Sequence, residues 1–144
     1  MVTMLIGLPG CGKSTYASKL KGFTVLSSDA IRKEIYGSEE VQTDPKRVFT
    51  ILYNRMEQLV SKGENVVLDA THIKKKDRLV ALKIAHKYNQ PVEAIVFDVP
   101  LEVCLERNNS RERKVPESAY ERMLRQYERP TLEEGFSNIV SITE

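Results

Sequence analysis

The chain has 144 residues and a formal net charge of +2, the difference between 22 basic and 20 acidic residues. This length suits a single compact domain over residues 1–144, and the near balance of charge excludes a globally basic nucleic-acid-binding protein, so such binding would need a local basic cluster. The apolar start lacks a basic leader and no run reaches membrane-spanning length, so we predict a cytoplasmic protein with no membrane partner.

Strands and helices are predicted to alternate along the chain. Apolar runs bounded by glycine or polar residues indicate strands, and apolar residues at helical spacing indicate helices. In chain order the predicted elements are a strand at Val2 to Leu8, a helix at Lys13 to Leu20, a strand at about Phe23 to Leu26, a helix at Ala30 to Tyr36, a helix from Pro45 to before Gly63, a strand at Val66 to Leu68, a helix at about Lys75 to Tyr88, a strand at Val92 to Phe97, helices at Pro100 to about Arg107 and Pro116 to Tyr127, and a strand at about Asn138 to Ile142. The fourth helix should turn Leu79, Leu82 and Ile84 towards the core.

This alternation predicts an α/β fold with a five-stranded parallel sheet that is covered by helices on both faces. Open sheets of this kind bind ligands beyond the carboxyl ends of their strands. The loop after the first strand, Asp29 after the second strand and Asp69 after the third strand all fall there. We therefore expect these three segments to carry the function.

The segment from Gly7 to Ser14 reads GLPGCGKS and satisfies the GxxxxGK[ST] pattern between a predicted strand and a predicted helix. Its glycines let backbone amides wrap a phosphate, Lys13 can reach the terminal phosphates, and the Ser14 hydroxyl can hold Mg²⁺. The pattern predicts ATP and Mg²⁺ as cofactors. The candidate ATP-binding residues of this loop are Gly7, Pro9, Gly10, Cys11, Gly12, Lys13, Ser14 and Thr15.

The two cysteines, Cys11 and Cys104, have no metal-ligand spacing and lie in a predicted loop and a predicted helix. We therefore expect free thiols in a reducing compartment and no disulfide. The position of Cys11 beside loop amides and a helix start would favour its thiolate, or Cys11 is simply a small residue that fits the loop.

Asp29 can act as a catalytic base. A carboxylate at the end of the strand next to the phosphate loop could face the terminal phosphate and accept a proton from an attacking hydroxyl. The alternative is a helix cap, which Ser27 or Ser28 could equally supply. Arg32 lies one helical turn further on, where its guanidinium could hold a phosphate or carboxylate of the acceptor, unless it is an ordinary surface arginine.

Asp69 ends an apolar strand, and a carboxylate there could order Mg²⁺-bound water or the loop residues, or form a structural hydrogen bond. Ser14, Asp29 and Asp69 are the candidate metal ligands. His72 follows in a turn where we expect it to be exposed and solvated. The basic residues after it could line a groove for phosphates or form a charged helix face. They are Lys74, Lys75, Lys76 and Arg78.

Arg107 and Arg111 are spaced one helical turn apart and are followed by Arg113 and Lys114. Arginines at this place could close over the phosphates as a lid at about residues 107–115 and neutralise charge in the transition state. The alternative is a solvated helix end.

In the order of the chain, five segments resemble the 5′ kinase domain of phage and bacterial polynucleotide kinase/phosphatase enzymes, and the resemblance spans nearly the whole sequence. The segments are Gly7 to Ser14, Ser27 to Arg32, Val67 to Thr71, Phe97 to Pro100, and Arg107 to Arg111 with Val115-Pro116. The family implies a three-layer P-loop fold with an adenylate-kinase-like strand order 2-3-1-4-5. It also implies roles for six side chains: Lys13 and Ser14 for ATP and metal, Asp29 as general base, Arg32 for the acceptor phosphate, and Arg107 and Arg111 in the lid. His72 departs from the family, which commonly has asparagine there.

The leading hypothesis is transfer of the ATP γ-phosphoryl group to the 5′-OH end of a polynucleotide in nucleic-acid repair, by a lone kinase or beside separate end-healing or ligase partners. A small-molecule kinase of the same fold stays open, as does a nucleotide-dependent binding module without phosphotransferase chemistry. An open basic groove around Gly37 to Arg47 would favour the polymer, and a closed pocket would favour a metabolite. An oligomeric state is left open.

Overall fold

The computed structural model describes residues 1–37, 44–110 and 115–143. Its elements in chain order are β1 (Val2–Ile6), α1 (Lys13–Ser18), β2 (Thr24–Ser27), α2 (Ser28–Tyr36), α3 (Pro45–Ser61), β3 (Val66–Asp69), α4 (Lys75–Lys87), β4 (Val92–Phe97), α5 (Leu101–Asn109), α6 (Glu117–Gln126), a 3₁₀ helix (Leu132–Glu134) and β5 (Asn138–Ile142). In the described part of the chain no helix is long and apolar enough to cross a membrane.

The five strands form one parallel sheet in the order β2-β3-β1-β4-β5. This confirms the predicted α/β fold and its strand order. Every residue of β1 is buried, which is why this strand is a continuous apolar run without polar alternation. Two core clusters lie on the opposite faces of the sheet.

The first cluster packs α2, α3 and α4 against one face through residues such as Met4, Leu52 and Leu82. The second packs α1, α5 and α6 against the other face, where Leu5 and Tyr120 are fully buried or nearly so. Successive residues of β1 point to opposite faces, so Met4 and Leu5 serve different clusters. The central strand β1 therefore contributes side chains to the core on both faces of the sheet.

Local signals set the ends of the helices. Gly37 ends α2 with a left-handed φ of 77°, the conformation that glycine adopts without a Cβ clash. Asp44 starts α3, where its carboxylate accepts a hydrogen bond from the Arg47 amide and Pro45 occupies the first turn. The predicted inward turn of Leu79 is wrong, because Ala81 and Ala85 occupy the buried stripe with Leu82 and leave Leu79 46% exposed.

A buried ion pair joins α4 to the 3₁₀ helix, and the sequence does not predict this pair. Arg78 is fully buried, and its guanidinium donates to both carboxylate oxygens of Glu134, at 2.8 and 3.1 Å. The third guanidinium nitrogen of Arg78, Nη1, donates to the His72 carbonyl at 2.9 Å. Glu134 also accepts from the Thr131 amide and so closes a capping box at the start of the short helix.

Replacing Glu134 by Gln should destabilise the fold by about 3 kcal/mol or more, because it leaves the Arg78 charge buried without its partner. The free energy of unfolding in urea measures this effect. Glu133→Gln alters the neighbouring exposed carboxylate and should change stability by less than about 0.5 kcal/mol. Equal losses in the two variants would contradict the structural role of the pair.

Candidate active site

The loop between β1 and α1 is shaped by glycines that no other residue could replace without rearrangement. Gly10 and Gly12 have φ angles of 80° and 98°. A Cβ on Gly10 would lie 2.6 Å from the Cys104 carbonyl oxygen, and a Cβ on Gly7 would lie 3.0 Å from the Phe97 Cβ. The loop backbone is therefore held against β4 and α5, in the conformation that lets its amides surround a phosphate.

Lys13 is 9% exposed, and its ammonium group donates to the carbonyls of Gly7 and Leu8, at 2.9 and 2.8 Å. These bonds keep the positive charge inside the curve of the loop. Tyr120 of α6 donates to the Pro9 carbonyl at 2.6 Å and fixes the outer side of the same loop. The loop and its lysine thus form a compact cationic cradle.

Ser14 connects the loop to the neighbouring strand. Its hydroxyl donates to the Asp69 carboxylate at 2.8 Å, and Asp69 is 7% exposed. Burial raises the pKa of Asp69, and the negative charge of Asp29 raises it further, while the Ser14 hydrogen bond and the Lys13 charge oppose the rise. The pKa of Asp69, at the end of β3, is thus shifted by groups from the segments that follow both neighbouring strands, β1 and β2.

Asp29 is not used as a helix cap. The Ser27 hydroxyl caps α2 by accepting from the Ala30 amide at 3.2 Å. The Asp29 carboxylate is 42% exposed and accepts from the Arg32 guanidinium at 2.9 Å. Among the described residues, Arg32 has a buried Nε without a hydrogen-bond partner.

A cleft of about 1710 Å³ contains this arrangement. Asp29, Arg32, Asp69 and Arg107 line it together with every loop residue from Pro9 to Thr15. Gly7 lies behind the loop, where its carbonyl binds Lys13. The Arg107 guanidinium lies 3.3 Å from the ideal Cβ position of Gly12, so this arginine covers the loop from α5.

The structure therefore brings together Lys13, Ser14, Asp29, Arg32, Asp69 and Arg107. Their catalytic, ATP-binding and metal-binding roles stay predictions. Residues 111–114, which include Arg111 and form part of the lid predicted at about 107–115, lie outside the described residues, as do residues 38–43 of the predicted acceptor region.

Oxygen groups at the end of β3 fit the predicted Mg²⁺. The Ser14 hydroxyl and the Asp69 carboxylate are hydrogen-bonded to each other at 2.8 Å, and Asp29 is close enough to raise the pKa of Asp69. Magnesium sites in phosphoryl-transfer enzymes commonly use one or two carboxylates together with substrate phosphates and water. The described residues contain no group of three His, Cys, Asp or Glu side chains that could hold a metal ion. A magnesium ion here would thus depend on the nucleotide phosphates for its remaining ligands.

The two cysteines are joined in a disulfide between the phosphate loop and α5. Their Cα atoms are 5.0 Å apart, a usual separation for such a bond, although 93 residues separate them in the chain. The prediction of free thiols is wrong, because the packing of α5 on the loop cannot be read from cysteine spacing. Cys11 therefore has neither a free thiolate nor the simple role of a small loop residue.

His72 is buried, so the prediction of an exposed and solvated side chain is wrong. It is 3% exposed, has a φ of 49°, and its Nδ1 lies 2.8 Å from the Leu5 carbonyl oxygen. Burial lowers the pKa of His72 to about 4, and the Lys13 and Arg78 charges act in the same direction. His72 is therefore a neutral side chain that ties the turn after β3 to β1.

A family model described as AAA domain matches residues 2–130. A predicted bifunctional polynucleotide kinase/RNA ligase of Autographa californica nuclear polyhedrosis virus is 29% identical over 127 residues, which cover 78% of this chain and 18% of that protein. A bifunctional polynucleotide phosphatase/kinase of Schizosaccharomyces pombe is 25% identical over 146 residues, with coverages of 98% and 33%. The chain thus spans a third or less of the length of these relatives. The predicted resemblance to polynucleotide kinases is confirmed.

Solved structures share the fold at low identity. A chain of a Pnkp1/Rnl/Hen1 RNA repair complex superposes with a TM-score of 0.75 at 22% identity, covering 87% of this chain and 43% of that one. A gluconokinase from Sinorhizobium meliloti superposes with a TM-score of 0.62 at 19% identity, covering 99% and 81%. These likenesses show that the chain shares its fold with both structures.

Acidification should destabilise the protein through His72. The folded pKa of about 4 lies below the ordinary value of 6.5, so the unfolded chain binds more protons between these values and stability is lost as the pH falls through that window. The loss should reach about 2 to 3 kcal/mol between pH 7 and pH 4.5. Urea unfolding at a series of pH values measures it.

His72→Asn should remove most of this pH dependence, and His86→Asn, at the exposed second histidine, should retain it. Parallel pH profiles for the wild type and His72→Asn would show that His72 titrates normally in the folded protein.

Proposed function

The chain belongs to the AAA domain family, and we propose that it is a kinase that transfers the γ-phosphoryl group of ATP to the 5′-hydroxyl end of a polynucleotide. The observation that supports this most is the position of the Asp29–Arg32 pair in the same cleft as the phosphate loop. A protein that only binds nucleotide has no need of a partly exposed carboxylate in the cleft of the phosphate loop. A phosphotransferase needs a base at this place.

In the proposed reaction, the Asp29 carboxylate accepts the proton of the acceptor hydroxyl as its oxygen attacks the γ-phosphorus. Arg32 holds Asp29 in position through one nitrogen and binds an acceptor phosphate through its remaining donors. Lys13 and Arg107 stabilise the charge on the transferred group. Ser14 and Asp69 are the side chains that would hold Mg²⁺, which would supply positive charge to neutralise the phosphates.

The size and lining of the cleft favour a polymeric acceptor. Its volume of about 1710 Å³ exceeds the roughly 300–1,000 Å³ of ordinary small-ligand pockets. Lys46, Lys74 and Lys76 line it in addition to the arginines near the phosphate loop. Cations along an open cleft suit a chain of phosphates better than one small alcohol.

The similarity to two bifunctional polynucleotide kinases supports the same acceptor. The likeness to a chain of an RNA repair complex supports, as a further part of the proposal, action in end repair beside separate end-healing or ligase proteins. We also propose that the protein acts in the cytoplasm.

Asp29→Asn should lower turnover about 10²–10⁴-fold, because the amide keeps the shape of the carboxylate but cannot take the proton. The assay follows label from γ-labelled ATP onto 5′-OH oligonucleotides, small hydroxylated metabolites and water, at saturating Mg²⁺. Affinity for ATP, measured by calorimetry, should change little. Glu34→Gln is the matched control, since this exposed carboxylate of α2 pairs with Arg55 outside the cleft.

Label on a metabolite alone would reject the polynucleotide acceptor and favour the small-molecule kinase. Unchanged turnover in Asp29→Asn would reject the role of Asp29 as the general base. ATP binding without transfer to any acceptor would favour the binding module.

A further inference from the structure

An aromatic pair forms one wall of the cleft. Phe49 and Tyr53 lie one turn apart on α3, both half-buried, with ring centroids 6.0 Å apart and ring planes inclined by 35°. Both line the cleft that holds the phosphate loop and Asp29. One face of α3 packs on the sheet, and another face lines the cleft.

Phe49 is not needed to fill the core. α3 buries Val48, Leu52 and Met56 against the sheet, and among the described residues Phe49 belongs to neither core cluster. Tyr53 does pack on the first cluster. A phenyl ring whose described ring contact is Tyr53, and which otherwise faces a polar cleft, is a ready surface for a flat apolar ligand.

Tyr53 gives this ring a rigid backing. Its hydroxyl donates to the Asp77 carbonyl at 3.1 Å and so ties α3 to the start of α4. Burial raises the pKa of Tyr53 to about 12, so the hydroxyl stays neutral and keeps this bond at physiological pH. The backing therefore does not depend on a ligand.

Three lysines line the same cleft as the aromatic pair. Lys46 lies one turn before Phe49 on α3, and Lys74 and Lys76 lie at the start of α4. All three line the cleft, with Asp77 as the acidic residue at this end. Aromatic rings set among cations bind single-stranded nucleic acid, because bases stack on the rings while the cations hold the backbone.

We propose that Phe49, backed by Tyr53, is a stacking platform for an unpaired base near the 5′ end of the acceptor strand, with the adjoining phosphates along Lys46, Lys74 and Lys76. This inference rests on the proposed function and specifies its substrate. Bases inside a duplex are already covered on both faces. The enzyme should therefore prefer a 5′-OH single strand over a blunt duplex end or a single nucleotide.

The first test measures kcat and KM on a 5′-OH single-stranded hexanucleotide. Phe49→Ala should raise KM about 10-fold, in line with the loss of one base–aromatic stack. Phe49→Trp should retain a low KM, whereas Phe49→Leu, which keeps apolar bulk without an aromatic face, should not. Thr50→Ala, at an exposed neighbour outside the cleft lining, should behave as wild type.

The second test removes the base instead of the ring. Hexanucleotides each carry one abasic site at positions 1 to 4. At one position the missing base should lower kcat/KM of the wild type about 10-fold yet cost Phe49→Ala nothing further, since the two changes remove the same contact. A purely structural role of Phe49 would instead give losses that multiply at every position.

The outcomes separate this inference from the function beneath it. If the wild type labels no 5′-OH oligonucleotide, the proposed function fails and the platform fails with it. If the wild type labels oligonucleotides but Phe49→Ala matches Thr50→Ala, or if blunt duplex ends are used as well as single strands, the platform alone is overturned. Unchanged affinity of each variant for ATP shows that the fold is retained.

Discussion

The hydrogen bond from Ser14 to Asp69 joins the phosphate loop to the neighbouring strand, and the whole site is organised around it. It is possible because β1 lies between β3 and β4, with Leu5 in register with Asp69. The carboxylate therefore ends beside the loop, in a buried place where its pKa is raised. Without this hydrogen bond, no side-chain contact described here would connect the phosphate loop to the Asp69 carboxylate.

The turn after β3 is held in place by interactions for which we propose no catalytic role. His72 binds β1 through the Leu5 carbonyl, and Arg78 binds the His72 carbonyl while its charge is met by Glu134. These contacts fix the backbone between Asp69 and α4. They therefore also fix the start of α4. Lys74 and Lys76 line the cleft there, and the Asp77 carbonyl accepts the hydrogen bond from Tyr53.

Short-range signals made the fold and much of the site predictable. Apolar runs and the glycine-rich loop indicated the strands and the cradle, and the adjacent Ser27 explained in advance how Asp29 could stay out of the helix cap. The failures concern contacts between segments distant in sequence. Cys11 is bonded to Cys104, 93 positions further along the chain, and the buried His72 side chain is hydrogen-bonded to the Leu5 carbonyl of β1. Phe49 carried a weak signal, since it shares a helix face with Lys46 and Tyr53 at spacings of three and four.

A crystal structure with a non-hydrolysable ATP analogue, Mg²⁺ and a 5′-OH oligonucleotide would test most directly whether one cleft serves both donor and acceptor. We expect phosphates inside the loop and the acceptor 5′ oxygen about 3 Å from the Asp29 carboxylate, in line with the γ-phosphorus. A nucleotide on the loop with the strand's 5′ end bound away from Asp29, or with Asp29 contacting Arg32 alone, would contradict it.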